Sequence, residues 1–261
     1  MDKLSFIFFG TTNYSKDLLL FLLKNKFYPK MIFSSPSDFK ISYSKKKIKN
    51  YNHADLKQIA KKYKLPYYEI DSSSGKRINA YKAKIAKLNP DLMLVLGWYY
   101  KIPKYIRKLS KFGAWGIHAS LLPNYAGGAP LTWAIIKGEK KTGVTLFKLD
   151  DGVDDGDIIL QKSFLIKKQD TIKDVYFKAT EKSKEILVKV LNNMDQVRFT
   201  PQDKKKINIF PQRRPEDGEI DLSKSADQIY NFVRAQSSPY PGAFIKTTDG
   251  KKLIIEKIKK V

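Results

Sequence analysis

The 261-residue chain predicts an α/β fold with a mostly parallel sheet, followed by a small α+β appendage at the C-terminus. Over most of its length, short apolar runs alternate with stretches of helical periodicity, the pattern of a parallel sheet covered by helices. Leu92–Leu96 is the most apolar run and predicts a central strand buried on both faces. Near the end of the chain, Asp249-Gly250 separates two further runs and predicts a β-hairpin.

The first predicted unit is a strand, a turn and a helix. Leu4–Phe9 is an apolar run, Gly10–Asn13 is a turn, and the leucines between Leu18 and Leu23 leave a charged face on the helix that follows. The turn lacks the Gly-x-Gly-x-x-Gly pattern, so the sequence shows no nicotinamide-nucleotide fingerprint.

The remaining elements are predicted from the same periodicities and from breaks rich in Ser, Gly and Pro. The lysine-rich segment Ser34–Asn52 is predicted to be a surface loop, and Ser72–Gly75 breaks the pattern before a helix. The further predicted strands are Met31–Phe33, Pro66–Ile70, Leu92–Leu96, Ala114–His118, Val144–Leu149, Ile158–Ile166, Ala243–Thr247 and Lys252–Lys257. The further predicted helices are Ala54–Lys64, Ile78–Leu88, Leu131–Ile136, Ile172–Leu191 and Ala226–Ala235.

Two domains are predicted, one at 1–194 and a small C-terminal subdomain with its linker at 195–261. Pro201–Lys206 has the composition of a linker. A hydrophobic content of 42% is enough for a sizeable core, and the lack of cysteine excludes disulfides and Cys-based zinc sites. Because the sequence also lacks a signal-peptide pattern and any apolar run of about 20 residues, we expect a cytoplasmic protein without a membrane span.

The formal net charge is +24, from 50 Lys and Arg against 26 Asp and Glu. Clustered cations would indicate nucleic acid. The excess is almost all lysine, however, and it is spread along the chain as on an ordinary solvated surface. The charge therefore favours an anionic ligand without choosing one.

Two segments carry the residues best suited to catalysis. His118 is one of only two histidines, and it ends a predicted strand directly before a loop rich in Pro and Gly. In α/β sheets such strand ends present reactive side chains, although a lone histidine there is more often a hydrogen-bonded core residue. Asp154 lies in an acidic turn with interleaved glycines, which could bring its carboxylate to the imidazole and fix the tautomer.

The other carboxylates of the acidic turn compete with Asp154 for this role or are solvated and cap turns. They lack the spacing of a calcium loop, so no metal site is predicted. These residues are Asp150, Asp151, Asp155 and Asp157.

The motifs around these residues resemble the 10-formyltetrahydrofolate-dependent formyltransferases. The resemblance rests on the segments His118–Pro123, Gly127–Glu139, Thr142–Phe147 and Gly152–Ile158. It implies a Rossmann-like domain that transfers a formyl group from 10-formyltetrahydrofolate to a primary amine, without a metal. The acceptors in the family include methionyl-tRNA, glycinamide ribonucleotide and sugar nucleotides. Further segments look most like the domain that modifies UDP-4-amino-4-deoxyarabinose, namely Trp98–Lys101, Arg213–Asp221, Arg234–Ala235 and Pro239–Phe244.

The resemblance also implies roles for individual residues. His118 would stabilise the formyl oxygen and transfer protons, and Asp154 would orient His118 and take the amine proton, directly or through water. The pterin would lie between a strand end and the acidic turn, although the aromatic residues of the strand end are equally typical of core packing. The cosubstrate residues would be Leu96, Gly97, Trp98, Tyr100, Lys101 and Ile102, together with Asp150, Asp151, Gly152 and Val153.

The sequence departs from the family at two positions. Gly116 stands where the family carries a catalytic asparagine, whose amide helps to hold the developing oxyanion; loss of one such donor costs roughly 2.7–4 kcal/mol. A backbone amide or a water could substitute, so we expect Gly116→Asn to change the rate in one direction or the other. Ala126 stands where many relatives have Arg, which bears on recognition of an anionic acceptor.

The sequence therefore favours a formyltransferase acting on a nucleotide-linked amino sugar. A methionyl-tRNA formyltransferase is the alternative within enzymes, supported by the basic segment Lys40–Lys49, whereas the absence of a full C-terminal β-barrel disfavours it. The alternative that is not an enzyme is a folate- or nucleotide-binding relative, because Gly116 removes a catalytic side chain. A homodimer is compatible with the sequence, and no membrane partner is expected.

Overall fold

The protein is described by a computed structural model, which covers residues 4–39, 48–49, 52–71 and 76–259. The chain folds into two compact units. Unit 1 comprises Met1–Ile117, Leu146–Asp151 and Lys184–Arg198, and unit 2 comprises His118–Thr145, Gly152–Ser183 and Phe199–Val261.

The secondary structure alternates strands and helices, as the sequence predicts. The strands are β1 (Phe6–Phe9), β2 (Met31–Ser34), β3 (Asp38–Phe39), β4 (Ile48–Lys49), β5 (Tyr67–Glu69), β6 (Leu92–Val95), β7 (Ala114–His118), β8 (Ala126–Gly127), β9 (Lys141–Lys148), β10 (Ile158–Leu165), β11 (Ile209–Phe210), β12 (Ala243–Lys246) and β13 (Lys252–Ile255). The α-helices are α1 (Asn13–Lys24), α2 (Lys57–Lys62), α3 (Lys82–Leu88), α4 (Lys104–Arg107), α5 (Pro130–Ile136), α6 (Ile172–Leu191) and α7 (Ala226–Ala235).

A seven-stranded sheet has the order β10-β9-β7-β6-β1-β2-β5. Strands β5, β2, β1, β6 and β7 pair in parallel, so the predicted mostly parallel sheet is confirmed. Strand β6 lies between β1 and β7, as expected of the most apolar run. Every residue of β1 and β2 is buried, because helices cover both faces of such a sheet.

The turn after β1 is fixed by side chains of unit 1. The Thr12 hydroxyl accepts the Ser15 N–H and forms a capping box that starts α1. The Ser15 hydroxyl donates to the Leu96 carbonyl at 2.5 Å, and the Thr11 N–H donates to the Gly97 carbonyl at 3.2 Å. The first turn therefore holds the carboxyl end of β6 in place.

Unit 2 contains the C-terminal elements. Strands β12 and β13 form the predicted antiparallel hairpin, with Ala243 opposite Ile255. They enclose a small core that includes Ile220 and Val233 of the preceding segment and α7. The parallel pairing of β8 with β11, which no periodicity in two residues could predict, ties the loop after β7 to Ile209–Phe210.

Two predicted segments differ in part from the structure. Ser34–Asn52, predicted as a loop, contains the antiparallel pair β3 and β4, because two residues per strand are too few to show alternation. Residues 40–47 and 50–51, which include most of the basic segment Lys40–Lys49, and the break at 72–75 lie outside the described residues. The predicted helix Ile78–Leu88 is 3₁₀ over Lys76–Tyr81 and becomes α-helical only at Lys82.

Gly97→Ala is expected to lower the free energy of unfolding by at least about 2 kcal/mol. Gly97 has φ +66°, and a Cβ there would lie 2.3 Å from Thr12 Oγ1 and 2.5 Å from Ser15 Oγ. The control is Gly250→Ala, at φ +77° with nothing within 4 Å of its Cβ, which should cost only backbone strain of about 1 kcal/mol. Urea unfolding of both variants measures the difference, and equal losses would contradict the steric argument.

Candidate active site

His118 ends β7 and is 9% exposed. Both of its ring nitrogens face acceptors within unit 2. Nε2 lies 2.7 Å from the Tyr125 carbonyl oxygen, and Nδ1 lies 3.3 Å from Asp154 Oδ2. The structure therefore brings together the histidine and the aspartate that the sequence selects from separate segments.

Asp154 is held in place through its backbone and its side chain. It adopts the left-handed conformation at φ +51°, in the turn between β9 and β10. The Gly127 N–H donates to Oδ2 at 2.9 Å, and the buried Gln202 side chain donates to the Asp154 carbonyl at 2.8 Å and to the Gly156 carbonyl at 2.7 Å. Gln202 thus fixes the turn from a segment that composition marks as a linker.

The two acceptors around His118 restrict where its protons can be. A carbonyl only accepts, so Nε2 must carry a hydrogen to bond with Tyr125. Nδ1 faces the Asp154 carboxylate, so a hydrogen on Nδ1 would be donated to Oδ2. The geometry therefore places an imidazole and a carboxylate within reach of proton exchange.

The loop that carries the Tyr125 carbonyl is itself rigidly bonded. The buried Thr145 hydroxyl donates to the Ser120 carbonyl at 2.7 Å and accepts the Leu122 N–H at 3.1 Å. The Tyr125 N–H donates to Asn208 Oδ1 at 2.7 Å. These bonds fix the peptide that orients His118. Sequence reasoning missed Asn208, which carries no local signal for this role.

Gly116 lies two residues before His118 on β7 and therefore on the same face of the strand. A Cβ at this position would lie 3.0 Å from Leu149 Cδ2, and 3.5 Å from both Phe147 Cε1 and the Val95 carbonyl oxygen. The space in which a longer side chain would begin is therefore filled by the leucine.

Arg107 organises the beginning of the acidic turn within unit 1. This buried side chain donates to the Ile102 carbonyl at 3.1 Å, to the Leu149 carbonyl at 2.6 Å and to the Asp151 carboxylate. Lys104 also bonds that carboxylate, at 2.9 Å, and Lys101 Nζ lies 3.1 Å from the Asp151 carbonyl oxygen. The hydrogen bond from Lys104, followed by Arg107, lowers the pKa of Asp151.

The structure thus brings the predicted segment after β6 to Asp151, and Asp150 lies 3.8 Å from Arg107. Sequence reasoning missed Arg107, which is surrounded in the sequence by exposed lysines. Only its contacts in the structure identify its role, because a guanidinium can donate to several carbonyls and a carboxylate at once.

Arg107→Met is expected to lower the free energy of unfolding by about 2–4 kcal/mol, because two carbonyls lose their donor in a buried place. Lys104→Met is the matched control: it removes the other cation on Asp151, but the Lys104 side chain is 58% exposed, so the loss should stay below about 1 kcal/mol. Thermal and urea unfolding measure both variants. If Arg107→Met lost as little unfolding free energy as Lys104→Met, the contacts with the two carbonyls would contribute little to stability.

The remaining predicted cosubstrate residues divide between the units. In unit 1, Leu96, Tyr100 and Ile102 are buried, and the Trp98 ring packs edge-on against Phe9 at 5.6 Å. Trp98 Nε1 is buried, and no hydrogen-bond partner for it exists among the described residues. In unit 2, a Cβ on Gly152 would lie 2.3 Å from Asp155 Oδ2, and Val153 is exposed.

The other candidate positions have structural contacts. Asp155 Oδ2 lies 3.2 Å from Lys204 Nζ. Ala126 is fully buried in β8, where its partner in the register is Ile209. In the parts of the chain that the structure covers, there is no group of three metal-ligating side chains spaced to hold an ion and no helix long and apolar enough to cross a membrane.

The chain belongs to the formyl transferase family. The family model for the formyl transferase domain matches residues 3–191, and that for the formyl transferase C-terminal domain matches residues 213–261. The chain is 38% identical over 214 residues to the bifunctional polymyxin resistance protein ArnA of Wigglesworthia glossinidia brevipalpis, covering 79% of this chain and 31% of that protein. It is 32% identical over 251 residues to the methionyl-tRNA formyltransferase of Thermodesulfovibrio yellowstonii, covering 96% and 79% of the two chains.

A solved structure has the same fold. The N-formyltransferase of Helicobacter canadensis, in complex with folinic acid and dTDP-3-aminofucose, matches with a TM-score of 0.66 at 22% identity, over 89% of this chain and 80% of that one.

Proposed function

We propose that the protein transfers the formyl group of 10-formyltetrahydrofolate to a primary amine, and that the amine belongs to a nucleotide-linked amino sugar. The contact between His118 and Asp154 carries the proposal. A member of the formyl transferase family with an imidazole 3.3 Å from a carboxylate, at the end of a β-strand, has the acid–base pair that amide formation needs.

The cosubstrate supplies the formyl group, and residues of unit 1 fit it. Trp98 Nε1 is a buried donor without a partner among the described residues, and a pterin offers carbonyl and ring-nitrogen acceptors. Lys101 and the backbone between Leu96 and Ile102 would hold it, together with Asp150 and Asp151 of the same unit. The assignment of these residues to the cosubstrate is part of the proposal. The proposal also includes the division into two domains at residue 194 and a homodimer.

The main task of the side chains is to remove a proton from the attacking amine. The amine attacks the formyl carbon as its nitrogen acquires positive charge, and it must lose a proton to remain bonded. Asp154 is placed to accept that proton, directly or through a water. When protonated, His118 would stabilise the developing oxyanion. The bond from the formyl carbon to N10 of tetrahydrofolate then breaks, His118 would give its proton to N10, and the proton that Asp154 took from the amine would return to His118.

The sugar acceptor is supported by the 38% identity to ArnA and by the solved relative that binds a dTDP-linked amino sugar. The second candidate is methionyl-tRNA, which a specific observation favours: the methionyl-tRNA formyltransferase of T. yellowstonii matches 96% of this chain. The net charge of +24 suits either anionic acceptor.

An acceptor panel tests the proposal. UDP-, dTDP- and GDP-linked amino sugars and methionyl-tRNA are each incubated with 10-formyltetrahydrofolate, and formation of the formamide is followed by mass spectrometry. Formylation of one sugar nucleotide with a kcat/KM at least tenfold above that of methionyl-tRNA is the expected result. Preference for the tRNA would overturn the acceptor, and binding of folate without transfer to any amine would identify a non-catalytic relative.

A further inference from the structure

A cavity in unit 2 lies beside the loop that carries Tyr125. Its volume is about 310 Å³, which equals about ten water molecules and is enough for a phosphate group with a small organic substituent. Every described residue that lines it belongs to unit 2. Part of the lining is aromatic, since the rings of Tyr125 and Phe210 stack with their centroids 4.7 Å apart. The cavity therefore offers apolar surface as well as polar groups.

The charged groups of the cavity favour an anion. Of the described residues that line it, two are lysines, Lys137 and Lys141, and one is acidic, Glu139. Glu139 is already bonded, because the Tyr125 phenol donates to its Oε1 at 2.7 Å. Burial and this bond raise the pKa of Tyr125, so the phenol remains a donor. Neither lysine ammonium has a hydrogen bond or an ion pair with a described residue, so both can contact a ligand.

Asn208 supplies a further donor, and its orientation is fixed. Its Oδ1 accepts the Tyr125 N–H at 2.7 Å, a bond that the amide nitrogen could not make. Nδ2 therefore forms the other end of the side chain, and it has no partner in the part of the chain that the structure describes. Because Asn208 lines the cavity, an anion bound there can accept a hydrogen bond from Nδ2 while Oδ1 keeps its own.

A single residue connects the cavity to His118. Tyr125 lines the cavity, and its carbonyl oxygen lies 2.7 Å from His118 Nε2. Tyr125 adopts the left-handed conformation at φ +56°, which a residue with a side chain keeps only where surrounding contacts hold it. Hydrogen bonds in a chain polarise one another, so donation from Asn208 Nδ2 to an anion strengthens the bond between Oδ1 and the Tyr125 N–H. A change at this residue reaches the imidazole through the Tyr125 carbonyl.

We propose that this cavity is a second binding site of the protein, for a small phosphate monoester, and that its occupancy changes the environment of His118. A phosphate monoester carries about −1.5 to −2 charges at pH 7, which matches the two unpaired lysines, whereas a carboxylate carries one. The lysines and the Asn208 amide contact the phosphate, and the organic substituent packs against the aromatic rings. The inference goes beyond the proposed transfer and holds for either acceptor.

Calorimetric titration of the whole protein with phenyl phosphate, benzoate and phenol tests the site. Phenyl phosphate should bind at least tenfold more tightly than benzoate, and phenol more weakly still. Lys137→Gln and Lys141→Gln should each weaken phenyl phosphate binding about three- to tenfold. Lys140→Gln is the matched control, because Lys140 is exposed and next to Lys141 but does not line the cavity. It should bind like the wild type. Equal weakening in all three variants, or none in any, would overturn the site.

Glu139→Gln gives a change in the opposite direction. It removes the one carboxylate among the described lining residues, while the Tyr125 phenol can still donate to the amide oxygen. Phenyl phosphate should therefore bind at least threefold more tightly. Loss of stability alone would not produce tighter binding, so this result separates an electrostatic role from a structural one. Weaker binding in Glu139→Gln would contradict the assignment of the cavity to an anion.

The connection to His118 is measured by NMR of the histidine rings. The chain has two histidines, and His53→Gln assigns the signals. Saturating phenyl phosphate should shift the ring nitrogen signals of His118 and leave those of His53 unchanged. Binding without a change at His118 would overturn the connection. A His118 shift that persists undiminished in the double variant Lys137→Gln/Lys141→Gln would show that the ligand acts elsewhere and would overturn the site.

These measurements are independent of formyl transfer. A protein that binds phenyl phosphate through both lysines and formylates no amine would retain the site and refute the proposed function. A protein that formylates an amine and binds phenyl phosphate no more tightly than phenol would retain the function and refute the site.

Discussion

Asp154→Asn is expected to lower kcat for formyl transfer by about 10²–10⁴-fold while the protein stays folded and binds folate as before. The amide cannot take the amine proton, but its oxygen can still accept the Gly127 N–H. Gln202 holds this residue through the backbone carbonyl, which the substitution does not touch. The loss should therefore appear in kcat and not in stability, as single-turnover rates and urea unfolding would show.

Asp155→Asn is the matched control. This carboxylate is next in the sequence, yet it pairs with the exposed Lys204 and not with His118, so we expect kcat to change by less than about threefold. An Asp154→Asn enzyme that turns over at the wild-type rate would refute the role of the pair. An equal loss in both variants would instead indicate a general effect of charge in the turn.

His118→Asn should give a loss of similar size for a related reason. It removes the imidazole that faces Asp154 and leaves the Tyr125 carbonyl without its donor. Because the two residues act as one unit, the double variant should be little worse than either single variant. Additive losses would show that histidine and aspartate act in separate steps.

Much of this pair could be predicted from the sequence because its determinants are local. His118 ends an apolar run before a Pro- and Gly-rich loop, and Asp154 lies in a glycine-interrupted acidic turn. Both patterns are complete within a few residues. The parallel sheet was predictable for the same reason, since each of its strands carries its own apolar run.

The residues that hold His118 and Asp154 in place could not be predicted in this way, because their roles depend on contacts between distant parts of the sequence. Gln202 lies in a segment whose composition indicates a linker, yet it is buried against the turn that carries Asp154. Asn208 reaches Tyr125 across 83 positions of sequence. Both become visible only once Ile209–Phe210 pairs with Ala126–Gly127, and two-residue strands carry no detectable period.

Gly116→Asn is expected to destabilise the protein by about 1–3 kcal/mol and to lower the rate, because the new side chain must displace a leucine. The sequence predicts that position 116 faces the formyl group, and its place two residues before His118 on β7 puts it on the same face of the strand. Its Cβ would lie 3.0 Å from Leu149 Cδ2, so the leucine fills the space in which the family's amide would begin.

The double variant Gly116→Asn/Leu149→Ala distinguishes a filled site from a misassigned one. Removing the leucine gives the amide room, so stability should recover relative to Gly116→Asn alone, and kcat should exceed that of Leu149→Ala by up to about 10²-fold, the contribution of one oxyanion donor. Leu149→Ala is the control for the cavity alone. Formyl transfer at saturating folate and urea unfolding measure all three variants. If Gly116→Asn left rate, folate affinity and stability unchanged, position 116 would not face the formyl group. If Gly116→Asn lowers rate and stability and the added Leu149→Ala restores them, the leucine and the missing amide occupy the same space.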